Sequence, residues 1–166
     1  LPISHIFTQE KGCEGQIYTV SPDGQKAAGW SITPNSDKAR VATIWEVGKE
    51  GSTLIMDERL SNAWCSSRKF SPNGKYLLFW EGYYDLPVDE NTPTGMALRA
   101  LYNVETGEKT AMPTLTRDPF NFDVFDITDN GTIVGYESPE ATQLDQAIIF
   151  KDGKTRWLYD YLKEQG

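Results

Sequence analysis

The chain has 166 residues and a formal net charge of −8, with 39% hydrophobic and 12% aromatic residues. That aromatic share is too rich for a disordered chain, and no apolar run approaches the roughly 18 to 20 residues of a helical membrane span. The acidic balance argues against a nucleic-acid partner, whose phosphates demand clustered positive charge, while the length suffices for one ordinary core.

The N-terminal stretch Leu1-Pro2-Ile3-Ser4 lacks the basic start and long apolar run of a signal peptide. The missing initiator Met points to a mature or trimmed chain. Cys13 and Cys65 are the two cysteines and His5 is the single histidine, with no Cys-x-x-Cys, which argues against a zinc site. The two thiols are read either as separate and buried, or as one disulfide in an oxidising compartment.

From there the chain repeats a plan three times. Val20-Ser21-Pro22-Asp23-Gly24 is followed by the run Lys26-Ala27-Ala28-Gly29-Trp30, a third strand from Val41 to Val47, and a short fourth from Thr53 to Met56. Phe70-Ser71-Pro72-Asn73-Gly74 leads into Tyr76-Leu77-Leu78-Phe79-Trp80, then Ala97 to Val104 and Thr110 to Met112. Ile127-Thr128-Asp129-Asn130-Gly131 leads into Thr132-Ile133-Val134-Gly135-Tyr136, then Gln146 to Phe150 and Thr155 to Leu158. Asp-Gly and Asn-Gly supply the positive φ of two-residue hairpin turns, and β-branched and aromatic neighbours favour strands on both sides. Leu158, Tyr161 and Leu162, followed by Gly166, fit either a short amphipathic helix or a continuation of the last strand.

The interval from Trp45 to Gly74 is 29 residues, and so is that from Tyr102 to Gly131. Length variation therefore falls in the loop between the second and third strands. Four-stranded antiparallel meanders of this size are the unit of a β-propeller, and a sheet with two apolar faces needs neighbours to cover them. The expected fold is all-β, with propeller blades at 15–57, 58–113 and 114–166, and with 1–14, through Pro2 to Phe7, forming the outer strand of a preceding blade. A sandwich of two sheets gives no reason for the recurrence. Three blades fall short of the usual four or more. The same interval run forward from Phe150 passes Gly166. The expectation is a piece of a larger propeller, or a chain that self-associates through open blade faces.

The run Phe70 to Phe79, with Tyr102-Asn103-Val104-Glu105-Thr106-Gly107, resembles the TolB-type, WD-like propeller repeat. Ile127 to Tyr136, with Ala147 to Phe150 and Leu158 to Leu162, is similar to the HAF-type repeat of exported bacterial proteins. The resemblance implies an architecture and an extracytoplasmic location: periplasmic, cell-surface or secreted. The His and Trp-Asp pairs of true WD repeats are missing, so their internal hydrogen-bond network is not expected.

No Gly-x-Ser-x-Gly elbow, phosphate loop, His-Glu-x-x-His or EF-hand is present. Asn130-Gly131-Thr132 matches a glycosylation acceptor but already has a turn to make. The long middle loop gathers Trp80, Tyr83 and Tyr84 with Glu81, Asp85, Asp89 and Glu90. Aromatic faces beside carboxylates suit a sugar ring or a cation; alternatively Trp80 packs between sheets like Trp30 and Tyr136. Trp80, Tyr83, Tyr84 and Asp85 are the candidate ligand-binding residues. Asp123 and Asp126 are candidates for Ca²⁺ ligation or for a glycosidase carboxylate pair, or else line a solvated channel. Poor alternation across Phe122, Asp123, Phe125 and Asp126 suggests a bulge. The reading is a non-enzymatic binding or scaffold module for a glycan or protein ligand, without cofactor, metal or membrane span. A carbohydrate-active hydrolase or its accessory domain is the alternative.

Overall fold

A computed structural model describes residues 15–32, 40–49, 53–55, 63–83, 96–115, 122–138 and 144–166. Within them the chain forms three antiparallel sheets and one short helix. The first sheet holds β1 (Gly15–Val20), β2 (Lys26–Ile32), β3 (Arg40–Glu46) and the two-residue β4 (Thr53–Leu54). The second holds β5 (Ala63–Phe70), β6 (Tyr76–Tyr83), β7 (Met96–Asn103) and β8 (Lys109–Met112). The third holds β9 (Phe122–Ile127), β10 (Ile133–Glu137), β11 (Gln146–Lys151) and β12 (Lys154–Trp157), and runs into α1 (Leu158–Glu164). The C-terminal pattern thus resolves as the short helix: the last strand ends at Trp157 and does not continue through Leu158 to Leu162. Residues 1–14, and with them the expected preceding strand, lie outside the described residues.

Each sheet pairs its strands in chain order, and β3 touches β5 through one parallel bridge, Arg40 to Trp64. The register sorts side chains onto faces. Ala28 and Trp30, opposite Ile44 and Ala42, share one face of the first sheet. Ala28, Ala42 and Ile44 pack there with Leu77, Phe79, Ala100 and Tyr102 of the second. The opposite face of the second sheet carries Leu78 and Leu101, which pack with Ile133, Ile127 and Phe150 of the third. Leu77 and Leu78 are both fully buried, in different cores. Alternation along a strand requires this when both faces of a sheet are covered.

The three corners are one structure built three times. Ser21 Oγ donates to Asp23 Oδ1 (2.5 Å) and accepts the Lys26 N–H (2.8 Å). Ser71 Oγ donates to Asn73 Oδ1 (2.8 Å) and accepts the Tyr76 N–H (3.0 Å). Thr128 Oγ1 donates to Asn130 Oδ1 (2.6 Å) and accepts the Thr132 N–H (3.1 Å), in a corner one residue shorter. The same Asx oxygens accept the N–H of Gln25, Lys75 and Thr132. This corrects the expected two-residue turn. Only Gly24, Gly74 and Gly131 take positive φ, at 69°, 74° and 78°, while the preceding Asx spends its side chain bracing the loop. A two-residue turn with both φ positive does occur, at Asp152 and Gly153 between β11 and β12.

The first strand of each sheet also carries a bulge at the same place. Tyr18, Arg68 and Phe125 are the extra residues, each beside the second-strand position held by Gly29, Phe79 or Gly135. A Cβ on Gly29 would sit 1.8 Å from the Gln16 carbonyl oxygen, and one on Gly135 would sit 2.1 Å from that of Asp123. Backbone thus lies against backbone at both sites. Gly29→Ala should therefore destabilise by about 3 kcal/mol or more, because β1 must move. Gly74→Ala, whose Cβ would meet only an ordinary contact with Pro22 but whose φ is left-handed, should cost about 1 to 2 kcal/mol. Urea denaturation of the two variants checks the order.

Candidate functional site

The strands β1, β5 and β9 lie side by side, with β5 between its two equivalents. A bulge re-aims the side chain it adds, so the three bulges present Tyr18, Arg68 and Phe125 along one row, all exposed. Aromatic and cationic groups interleave around them. Trp30 Nε1 donates to the Tyr18 hydroxyl at 3.3 Å. The Arg40 guanidinium stacks 4.3 Å from the Trp30 ring centre, and that of Arg68 lies 5.9 Å from Tyr18. Phe125 lies against Tyr136, ring centres 5.6 Å apart. π-faces and guanidinium planes are surfaces on which sugars and peptide side chains stack.

Polar links fasten the second sheet to the third beside this row. Lys69 Nζ meets Asp126 Oδ1 at 2.7 Å. At the corners the Asn73 N–H donates to Asp129 Oδ1 at 2.6 Å, and an added Cβ on Gly74 would lie 3.5 Å from Pro22 Cδ. Deeper in the same interface sits Arg99, 4% exposed, directly across from Trp80 on β6. Its Nε lies 3.9 Å from Asp123 Oδ1. Burial pushes the guanidinium down to about 10, and the negative charges of Asp123 and Glu137 oppose that shift. Glu137, 1% exposed, accepts the Leu115 N–H at 2.8 Å. Arg99 and Glu137 both project from sheet faces into the interface between sheets two and three, since they share those faces with Leu101 and Ile133.

Trp80 is half-buried in β6, at the position equivalent to Trp30 and Tyr136 in their sheets. Tyr83 ends β6 opposite Ala63 and Met96. Tyr84 and Asp85 lie outside the described residues, as do Asp89, Glu90, His5 and Cys13. Asp123 and Asp126 flank the bulge that their poor alternation suggested. Each accepts the N–H of its following residue, and their carboxylates turn to different cations, Arg99 and Lys69. Among the described residues no three acidic, His or Cys side chains converge on a metal position. Arg99, Glu137, Tyr18, Arg68 and Arg40 escaped the sequence reading. The signal for Arg99 is a lone cation inside the apolar run Ala97 to Leu101. No protein-family model matches the chain, and no curated protein matches it.

Two outcomes test these linkages. Arg99→Met leaves the buried Glu137 carboxylate without its neighbouring cation and should cost about 3 kcal/mol. Adding Glu137→Gln should recover part of that loss, a coupling of about 1 to 2 kcal/mol in a double-mutant cycle. The Asp126 carboxylate is held below its ordinary 3.8, first by the hydrogen bond to Lys69 and then by the Ile127 N–H. A carboxylate lowered in the folded state adds stability that is complete above its unfolded value and is lost as pH falls through the folded one. Stability should therefore drop below about pH 4, and Asp126→Asn should flatten that acid limb in urea titrations.

Proposed function

We propose that this chain is built of β-propeller blades and works as a non-catalytic binding or scaffold module exported to the bacterial envelope. Three features support the propeller reading: the corners repeat the same Ser/Thr-to-Asx bracing, the bulges repeat in register, and the sheets stack face on face. The observation that carries the binding role is the row of bulges. It places Tyr18, Arg68 and Phe125 outward on rigid strands, the arrangement expected of a recognition surface rather than of a packing surface. The ligand is a glycan or an extended protein segment, held by stacking on aromatic rings and by Arg donors. The second contact region is the end of β6, where the expected loop residues Trp80 and Tyr83 are strand residues, together with Tyr84 and Asp85 that follow in sequence.

A glycan and peptide array, run beside chromogenic glycosides, tests the reading. Binding should weaken roughly tenfold or more in Tyr18→Ala and Phe125→Ala with folding unchanged, because aromatic anchors dominate such surfaces. Tyr83→Ala and Tyr84→Ala should lower affinity further, and no glycoside should turn over. Turnover abolished by Asp123→Asn or Asp126→Asn would replace the module with a hydrolase.

A further inference from the structure

The row of bulges has an order as well as a composition. Crossed from β1 through β5 to β9, it presents the Tyr18 ring, the Arg68 guanidinium and the Phe125 ring, with Tyr18 43% and Phe125 61% exposed. Two cations close by are set against carboxylates: Lys69 on Asp126, and Arg99 beside Asp123 and Glu137. Arg68 differs. Among the described residues no carboxylate pairs with it, in a chain whose formal net charge is −8. Its contact is the face of Tyr18, whose hydroxyl accepts from Trp30 Nε1, and the Arg40 guanidinium stacks on Trp30 in turn. The positive charge of Arg68 also bears on Arg99, where it adds to the downward push of burial. A cation without a counter-charge, set near another cation, favours an anion, and a guanidinium takes a carboxylate as a two-pronged fork.

We infer that the row reads an acidic polysaccharide, with Arg68 binding a ring carboxylate while sugar faces stack on Tyr18 and Phe125. The inference rests on the recognition role proposed above and names the chemistry of the ligand. Two observations favour a glycan over an acidic peptide. A ligand that lies across the row crosses three strands of three sheets. It therefore does not run along one strand edge and bond its backbone there, as sheets bind extended peptides. The order of ring, cation and ring also matches a uronic acid polymer. Its C–H faces and carboxylates recur along a stiff chain, which loses little freedom on binding.

Isothermal titration calorimetry on the full chain tests it with tetramers of glucuronic and mannuronic acid and their methyl esters. A neutral glucose tetramer, a sulfated glucose tetramer and tetraglutamate complete the set. At least one uronate should bind. Its methyl ester, which keeps the ring faces and loses the charge, should bind about tenfold or more weakly. Arg68→Gln, with the β fold checked by circular dichroism, should lose about the same factor for the uronate yet bind the ester as the unaltered chain does. Arg68→Lys should fall between, because an ammonium keeps the charge and loses the fork. An ester bound as tightly as the acid, or a uronate indifferent to Arg68→Gln, overturns the inference and leaves the binding module standing. So does tetraglutamate or a glucose tetramer, sulfated or neutral, bound more tightly than every uronate. Silence from every probe overturns it as well. The array experiment then decides the module separately, since any other glycan or peptide bound through Tyr18 and Phe125 keeps that reading.

Discussion

A sheet that is apolar on both sides has no wet face to offer, and the rest of this architecture follows from that. Leu77 and Leu78 state the constraint in two adjacent residues, each completely buried and each in a different core. The second sheet is stable only between two neighbours, and hydrophobic burial sets the order in which the three sheets stack. A local hairpin would not hold such side chains, because a two-stranded unit buries too little to persist in water.

Burial makes the sheets stack but does not fix their alignment, since an apolar surface slides at little cost. Directional contacts between neighbours supply alignment. The corner Asn73 N–H on Asp129, Lys69 on Asp126, and Arg99 set against Asp123 and Glu137 all join the second sheet to the third. A buried cation is costly to keep dry unless carboxylates face it. The Arg99 position therefore favours one placement of the third sheet over the displaced ones. The same polar belt runs beside the bulges, so the contacts that align the second and third sheets also hold Arg68 and Phe125 in line.

Periodicity and turn chemistry made the strands legible. The third strand expected from Val41 to Val47 runs from Arg40 to Glu46, and the fourth expected from Thr155 to Leu158 runs from Lys154 to Trp157. The corner positions were legible from Asp-Gly and Asn-Gly, but their form was not. A dipeptide does not reveal that Ser21, Ser71 and Thr128 two residues earlier would claim the Asx side chain and widen the loop. The bulge at Phe125 left a trace in broken alternation, whereas those at Tyr18 and Arg68 sit in stretches whose polarity gives no such trace. The charged interface was hidden for a different reason: Arg99 and Glu137 are remote in sequence and meet only because two sheets stack.

The corners carry a consequence for chemical ageing. Asn73-Gly74 and Asn130-Gly131 are the dipeptides most prone to deamidation, in which the side-chain amide is lost and a carboxylate remains. The first corner already has a carboxylate there, Asp23, which accepts from Ser21 Oγ and from the Gln25 N–H just as the two asparagines accept from their own partners. Only the amide oxygen is used within these loops, so its replacement by a carboxylate oxygen leaves every bracing bond in place. Conversion to normal aspartate thus adds negative charge to an already acidic chain while keeping these bracing bonds, whereas the isoaspartyl product lengthens the backbone at these two corners.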